Sequence, residues 1–348
     1  MKVAAIVSLT NRRPEDSSGG LGSSRASRLL LAFLLCASLG CHTSPTHPGS
    51  DTAQGWLKSE ANPVLGGWRG LVGTVGDMSI IHDERGYRMW ATWRRKKGVG
   101  LFRSIDGAQW SNGELVLGPA STGWEDVVDR PTVLKRGGVY HMWYTGQARG
   151  HSWIGYAKSG DGQAWVRVSD TPVLAPGLPW EKVAVMCPYV TWDEPLGVFR
   201  MWYSGGEQYE PDAIGYAASA DGIHWEKWAE NPIFRPNLDQ PWERHKVAGA
   251  QVLRDGDWYY MFYIGFFDTD HAQIGLARSR DGITQWQRSS ENPVVRPSED
   301  GWDRDACYKP FAVYEPRAKQ WMLWYNGRRG QSERIGLVVR LGTSLGFK

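Results

Sequence analysis

Apolar and polar residues alternate along most of the chain in short runs bounded by Gly, Asn, Asp and Pro, with little helical periodicity. Such alternation predicts half-buried strands, because successive side chains of a strand point to opposite faces. The runs recur as a unit. Trp68, Trp124, Trp180, Trp242 and Trp302 stand 56, 56, 62 and 60 residues apart, and each opens the same succession. First comes an apolar stretch, such as Pro131-Thr132-Val133-Leu134 or Ala250-Gln251-Val252-Leu253. A Gly/Asp turn follows, then an aromatic strand such as His141-Met142-Trp143-Tyr144 or Arg200-Met201-Trp202-Tyr203. A third strand reads Ile154-Gly155-Tyr156-Ala157 or Ile214-Gly215-Tyr216-Ala217, and a Ser-x-Asp-Gly turn leads to a Trp and a fourth strand.

Four short strands per repeat is the grammar of a propeller blade. The fifth repeat stops after its third strand, near Leu341, and its missing partner is supplied from the front by Asn62-Pro63-Val64-Leu65. That segment matches Thr171-Pro172-Val173-Leu174, Asn231-Pro232-Ile233-Phe234 and Asn292-Pro293-Val294-Val295. The expectation is an all-β, five-bladed β-propeller over residues 56–348 whose last blade is closed by the N-terminal strand, which removes an open edge. The 20 Trp and 42 Gly suit such a fold of tight turns and aromatic surfaces.

Residues 1–40 read as an export signal. Arg25 and Arg28 precede the apolar run Leu29 to Ala37, followed by Ser38-Leu39-Gly40-Cys41. The run is too short to span a bilayer. Its ending resembles the lipobox of bacterial lipoproteins, with Cys41 as the acylated residue and Ser38 where Leu is usual. Residues 41–55, rich in Ser, Thr, Pro and Gly, read as a tether. The product is thus expected to be exported, anchored to a membrane only through lipid, or else secreted freely. The formal net charge of +3 gives no reason to expect nucleic acid as a partner. Cys187 and Cys307 suggest neither a disulfide framework nor a zinc site.

Blade geometry puts the starts of first strands and the loops between second and third strands on one face. That face should gather Asp77, Asp129, Arg130, Lys246, Asp305 and Lys309 from strand starts. The loops add Trp93 to Lys97, Glu207, Tyr209, Asp268, His271 and Arg328. Carboxylates, cations and aromatics converging on one axis suit a sugar site: carboxylates for proton transfer, Trp or Tyr for stacking on pyranose faces. The alternative is a self-paired ionic collar. The Ser-x-Asp-Gly turns fall on the opposite face, where their Asp side chains cap backbone N–H groups.

Blade count, circular closure and phrases such as Met201-Trp202-Tyr203-Ser204-Gly205 resemble the five-bladed glycoside hydrolases, namely the arabinanases and xylosidases of family 43 and the invertase and levansucrase group. The resemblance covers about residues 56 to 340 and implies an oligo- or polysaccharide substrate. It also implies Asp77 as base or nucleophile and Asp129 as the carboxylate that tunes the acid. The family's third carboxylate, a Glu before Cys-Pro or Gly-Pro, is Met186 here, and Met cannot donate a proton. Glu207, in the same blade, is the candidate displaced acid, provided its surroundings desolvate it. Arg130, Lys246, Lys309 and Arg328 would pair with the carboxylates or bind an anionic group, whether a uronate, a sulfate or inorganic phosphate. Hydrolysis of an extracytoplasmic glycan is the first reading. Sugar binding without catalysis and phosphorolysis are the alternatives. No cofactor and no metal ligands are indicated, though some relatives hold an axial metal ion.

Overall fold

The structure, a computed structural model, describes residues 51–67, 73–208 and 211–347. The signal and most of the tether lie outside them. The described chain is all-β: its helical elements are three 3-10 turns, at Arg94–Lys96, Pro179–Glu181 and Pro241–Glu243.

Antiparallel units follow one another as the repeat predicts. Val75–Asp83, Gly86–Trp93, Gly98–Ser104 and Glu114–Leu117 form the first. Val127–Arg136, Val139–Ala148, His151–Ser159 and Val166–Arg167 form the second. Ala184–Asp193, Val198–Gly206, Pro211–Ser219 and Glu226–Lys227 form the third. Lys246–Asp255, Trp258–Phe266, Ala272–Ser279 and Gln287–Arg288 form the fourth. Ala306–Glu315, Gln320–Arg329 and Ser332–Leu341 follow, and Leu57–Lys58 pairs antiparallel on the last of these.

The regular outer ladder of this last unit is therefore Leu57–Lys58. Asn62-Pro63-Val64-Leu65, expected as the strand itself, makes one isolated bridge from Leu65 to Ile335. The Asn side chain explains why the motif recurs. Its amide mimics a strand, accepting from Leu337 N (2.7 Å) and donating to Leu337 O (2.9 Å). Asn231 does the same to Tyr216, and Asn292 to Leu276.

The second to fifth units each bury an acid beside the opening Trp. Glu125, Glu181, Glu243 and Asp303 have no exposed surface. An ion cannot be buried without partners. Tyr144, Tyr203 and Tyr325 donate hydroxyls to Glu125, Glu181 and Asp303, and burial and the Glu243 charge push the Tyr263 hydroxyl pKa far up. The cation comes from the fourth strand: Arg167 (2.7 Å), Lys227 (2.6 Å), Arg288 (2.9 Å) and, for Asp303, Lys58 (2.8 Å). Lys58 thus fills from the N-terminal segment the place that fourth-strand cations fill elsewhere.

The Ser-x-Asp-Gly turns are structural. Asp106 Oδ1 accepts from the N–H groups of Ala108 (2.9 Å) and Gln109 (2.8 Å), and the other turns repeat this. Their Gly carbonyls stitch units together, accepting from Trp90 to Gly162, Trp143 to Gly222, Trp202 to Gly282 and Trp324 to Gly107.

Candidate functional site

Every first strand breaks register at one place: between Gly76 and Ser79, Asp129 and Thr132, Met186 and Tyr189, Ala248 and Gln251, and Tyr308 and Phe311. Such bulges bend a strand and re-aim a side chain. The inserted residues Asp77, Arg130, Cys187, Gly249 and Lys309 all adopt left-handed backbone, with φ of 48°, 50°, 52°, 57° and 56°. Only Gly takes this region without cost, so four strained side chains at equivalent bulges mark a place where the fold sustains strain. All five line one cavity. Four of their N–H groups are held by side chains of the neighbouring unit. Asp77 N donates to Asn326 Oδ1 (3.1 Å), Arg130 N to Thr92 Oγ1 (2.8 Å), Cys187 N to Thr145 Oγ1 (3.1 Å) and Gly249 N to Ser204 Oγ (2.9 Å).

Two buried carboxyls pair with the cations of this region. Asp77 lies 2.7 Å from Lys309 Nζ, 3.6 Å from Arg94 and 3.8 Å from Arg130. Burial pushes its pKa up, but the three cations outweigh burial and hold it well below the usual carboxylate range. Asp129 lies 2.7 Å from Arg130 Nη1 and 3.8 Å from Arg94. Burial, helped by the Asp77 charge, wins there over the arginines, and the Asp129 pKa is raised. Gln147 faces Asp129 Oδ2 at 3.2 Å through its amide nitrogen and accepts from Ser152 and Arg130. Two neighbouring carboxyls are thus pushed apart, one towards the ionised form and one towards the protonated.

A larger cavity of about 290 Å³, which shares Arg130 and Lys309 with the first, is walled by Arg94, Arg130, Lys309, Arg328, Tyr308 and Glu333. Tyr308 donates to Glu333 Oε1 (2.6 Å), and Glu333 Oε2 lies 3.4 Å from Arg94 Nε. Sequence reasoning missed Glu333, Tyr308 and Gln147. Glu333 stands two residues before the third-strand Ile-Gly, where the other units with that Ile-Gly carry Ser152, Asp212 and Ala272, and Gln147 becomes a neighbour of Asp129 only through strand pairing.

The remaining candidates are scattered. Glu207 is not brought to Asp77 or Asp129. Its side chain is 62% exposed, 3.3 Å from Lys182 and 4.0 Å from Lys246, so the expected desolvation is absent. Lys246 lines a separate cleft together with Lys182, Glu207 and Asp212, and lies 3.3 Å from Asp212. Asp268 and His271 pair with each other at 2.9 Å on the surface. Asp305 accepts from Gly330 N (2.6 Å), which orders a turn. Arg328 reaches the cavity wall and donates to the Asp270 carbonyl. Trp93, expected to stack on sugar, is 8% exposed and packs with Phe102. Tyr209 lies outside the described residues. No cluster of metal-ligating side chains occurs among the described residues.

A sequence profile described as "Glycosyl hydrolases family 43" matches residues 62–341. The chain is 30% identical over 240 residues to an uncharacterised protein of Mycobacterium tuberculosis, covering 65% of this chain and 76% of that protein. It is 31% identical over 134 residues to a 1,2-beta-oligomannan phosphorylase of a Thermoanaerobacter species, covering 35% and 43% of the two chains. Among solved structures it resembles one described under the finding that the GH130 family of mannoside phosphorylases contains glycoside hydrolases that target beta-1,2 mannosidic linkages in Candida mannan. The TM-score is 0.64 at 16% identity, over 81% of this chain and 93% of the other. At that identity the likeness speaks for the fold.

Proposed function

The chain belongs to glycosyl hydrolases family 43, and from that premise we propose that it cleaves a glycosidic bond in the cavity walled by Arg94, Arg130 and Lys309, the cations that pair with Asp77 and Asp129. One observation carries the reading: adjacent buried carboxyls whose surroundings favour opposite protonation states. Glycoside cleavage needs one carboxyl to protonate the departing oxygen and an anion to assist water or the developing cation. Asp129 is the proton-bearing group and Asp77 the anion. Glu207, the donor expected from sequence, is the alternative.

The test is hydrolysis of a panel of aryl glycosides and oligosaccharides by the wild type, Asp77→Asn, Asp129→Asn and Glu207→Gln. Asp129→Asn and Asp77→Asn are each expected to lower kcat by about 10²–10⁴, the usual worth of a placed acid or base, while Glu207→Gln keeps most activity. An active Asp129→Asn enzyme with a dead Glu207→Gln enzyme would return the acid role to Glu207. Binding without release throughout would make the protein a sugar-binding module.

A specific observation favours phosphorolysis as a second reading. Arg94, Arg130, Lys309 and Arg328 share the cavity wall, and Asp77 is held so acidic that it is a weak base for water. Phosphate needs no base, and arginine forks suit its geometry. The printed activity of the Thermoanaerobacter relative supports this. Turnover that appears only with added phosphate would select it.

The same reading makes the units five blades of one ring, closed by Leu57–Lys58. Contacts from Asn326 to Asp77, Trp324 to Gly107 and Lys58 to Asp303 support it. It also makes the protein an exported lipoprotein acylated at Cys41. Cys41→Ser should then move it from the membrane fraction to the soluble one, and unchanged membrane association would reject the anchor.

A further inference from the structure

A second groove meets the catalytic cavity at Arg94, which lines both. It has a volume of about 440 Å³, and its charged walls are Arg94, Lys97 and Arg149 against Asp126 alone. Arg94 is engaged, with Asp77, Asp129 and Glu333 all within 3.8 Å. Lys97 and Arg149 are exposed, and among the described residues neither makes an ion pair. Both occupy left-handed backbone at tight turns, with φ of 52° and 49°. Both turns are anchored. Lys97 N donates to Arg94 O (3.1 Å), and Lys97 O accepts from Val128 N across the groove (3.0 Å). The Arg149 carbonyl is bonded to His151 Nδ1 (3.0 Å). Two strained turns thus hold uncompensated cations over a groove that continues the cavity, a placement suited to an anionic ligand.

Resting on the proposal that the cavity cleaves a glycan, we infer that this glycan carries anionic substituents and that Lys97 and Arg149 bind one of them beside the scissile bond. The shared chemistry is an oxyanion displayed on a sugar, as a uronate carboxylate or a sulfate ester. Arg149 can take either in a fork and Lys97 as a point charge. Because the two cations are exposed, their contribution is strongly salt-dependent.

The experiment titrates wild type and the Lys97→Gln/Arg149→Gln double variant with oligouronides, the same oligouronides carboxyl-reduced, sulfated oligosaccharides and neutral mannooligosaccharides. Circular dichroism and melting confirm that the variant is folded. The expectation is that one acidic class binds and its neutral counterpart does not, with affinity falling at least about fivefold between roughly 20 and 200 mM salt. The double variant should lose most of that salt-dependent part. Preference for oligouronides or for sulfated sugars separates the two sources. Neutral and acidic sugars binding alike, or a folded variant that binds the acidic sugar as wild type does, would overturn the inference. Cleavage is scored separately with and without phosphate. An acidic glycan bound but never cleaved would sink the glycosidase reading and leave the groove assignment standing. A neutral glycan cleaved with no acidic one bound would do the reverse.

Discussion

Asp129 and His141 show how one kind of side chain acquires a particular behaviour from its surroundings. Asp129 keeps its proton to higher pH than an ordinary carboxyl because it is buried beside the Asp77 charge. If its protonated form is the acid, kcat/KM falls as pH rises through that raised pKa. Asp129→Asn should remove this alkaline limb as well as lower the rate, which a pH–rate profile reads directly. His141 is buried beside Lys158 and Arg136, and burial together with those charges depresses its pKa to about 4. Its neutral form therefore belongs to the folded state. Below the ordinary histidine pKa of about 6.5 the unfolded chain binds a proton that the folded one refuses. Stability is expected to fall between about pH 6.5 and 4 from this group. The slope should flatten in His141→Phe, measured by urea midpoints at several pH values.

At the scale of the strand, the bulge is the device that builds the site. It turns Asp77, Arg130 and Lys309 into one cavity, and hydroxyl or amide side chains of the neighbouring unit hold it open. Ile264 stands in the corresponding position before Lys309 and offers no oxygen. Thr145→Val keeps the shape but leaves the Cys187 N–H without its acceptor. A buried amide so stranded costs about 1–3 kcal/mol, measurable by denaturant unfolding. Asn326→Leu makes the same loss at Asp77 and should lower kcat as well, since it loosens a residue of the proposed reaction. The recurring Trp and Ser-x-Asp-Gly turns were legible because each repeats at a constant offset. The buried acid beside Trp124, Trp180, Trp242 and Trp302 repeats as faithfully, yet its Tyr and cation partners lie on other strands. Their spacing in sequence varies, which hides the set.

Across the whole molecule, the N-terminal segment carries more than an edge. Lys58 neutralises Asp303, which has no exposed surface, and Trp56 is 1% exposed. Removing one partner of a buried ion pair costs about 3–5 kcal/mol. Lys58→Met should therefore destabilise the folded protein by about that amount. A chain starting at residue 59 should lose more, because Trp56 and the ladder to Val338 and Val339 go with it. Equal melting of that truncated chain and the wild type would contradict the proposed closure by the N-terminal segment.

The order of most strands and their grouping into units follow from the sequence, whereas the outer ladder of the last unit, expected at Asn62-Pro63-Val64-Leu65, falls at Leu57–Lys58. Period-two alternation, turn residues and a repeat are local properties that a chain displays without folding. Which carboxyl holds a proton, which aromatic is covered and which cation is left unpaired are decided by neighbours brought from distant segments. Trp93 and Glu207 show the difference. Trp93 ends a second strand and Glu207 follows one, but packing covers the first and leaves the second in water. Burial and pairing are sums over the surrounding atoms, and those atoms are assembled only when the units stand side by side.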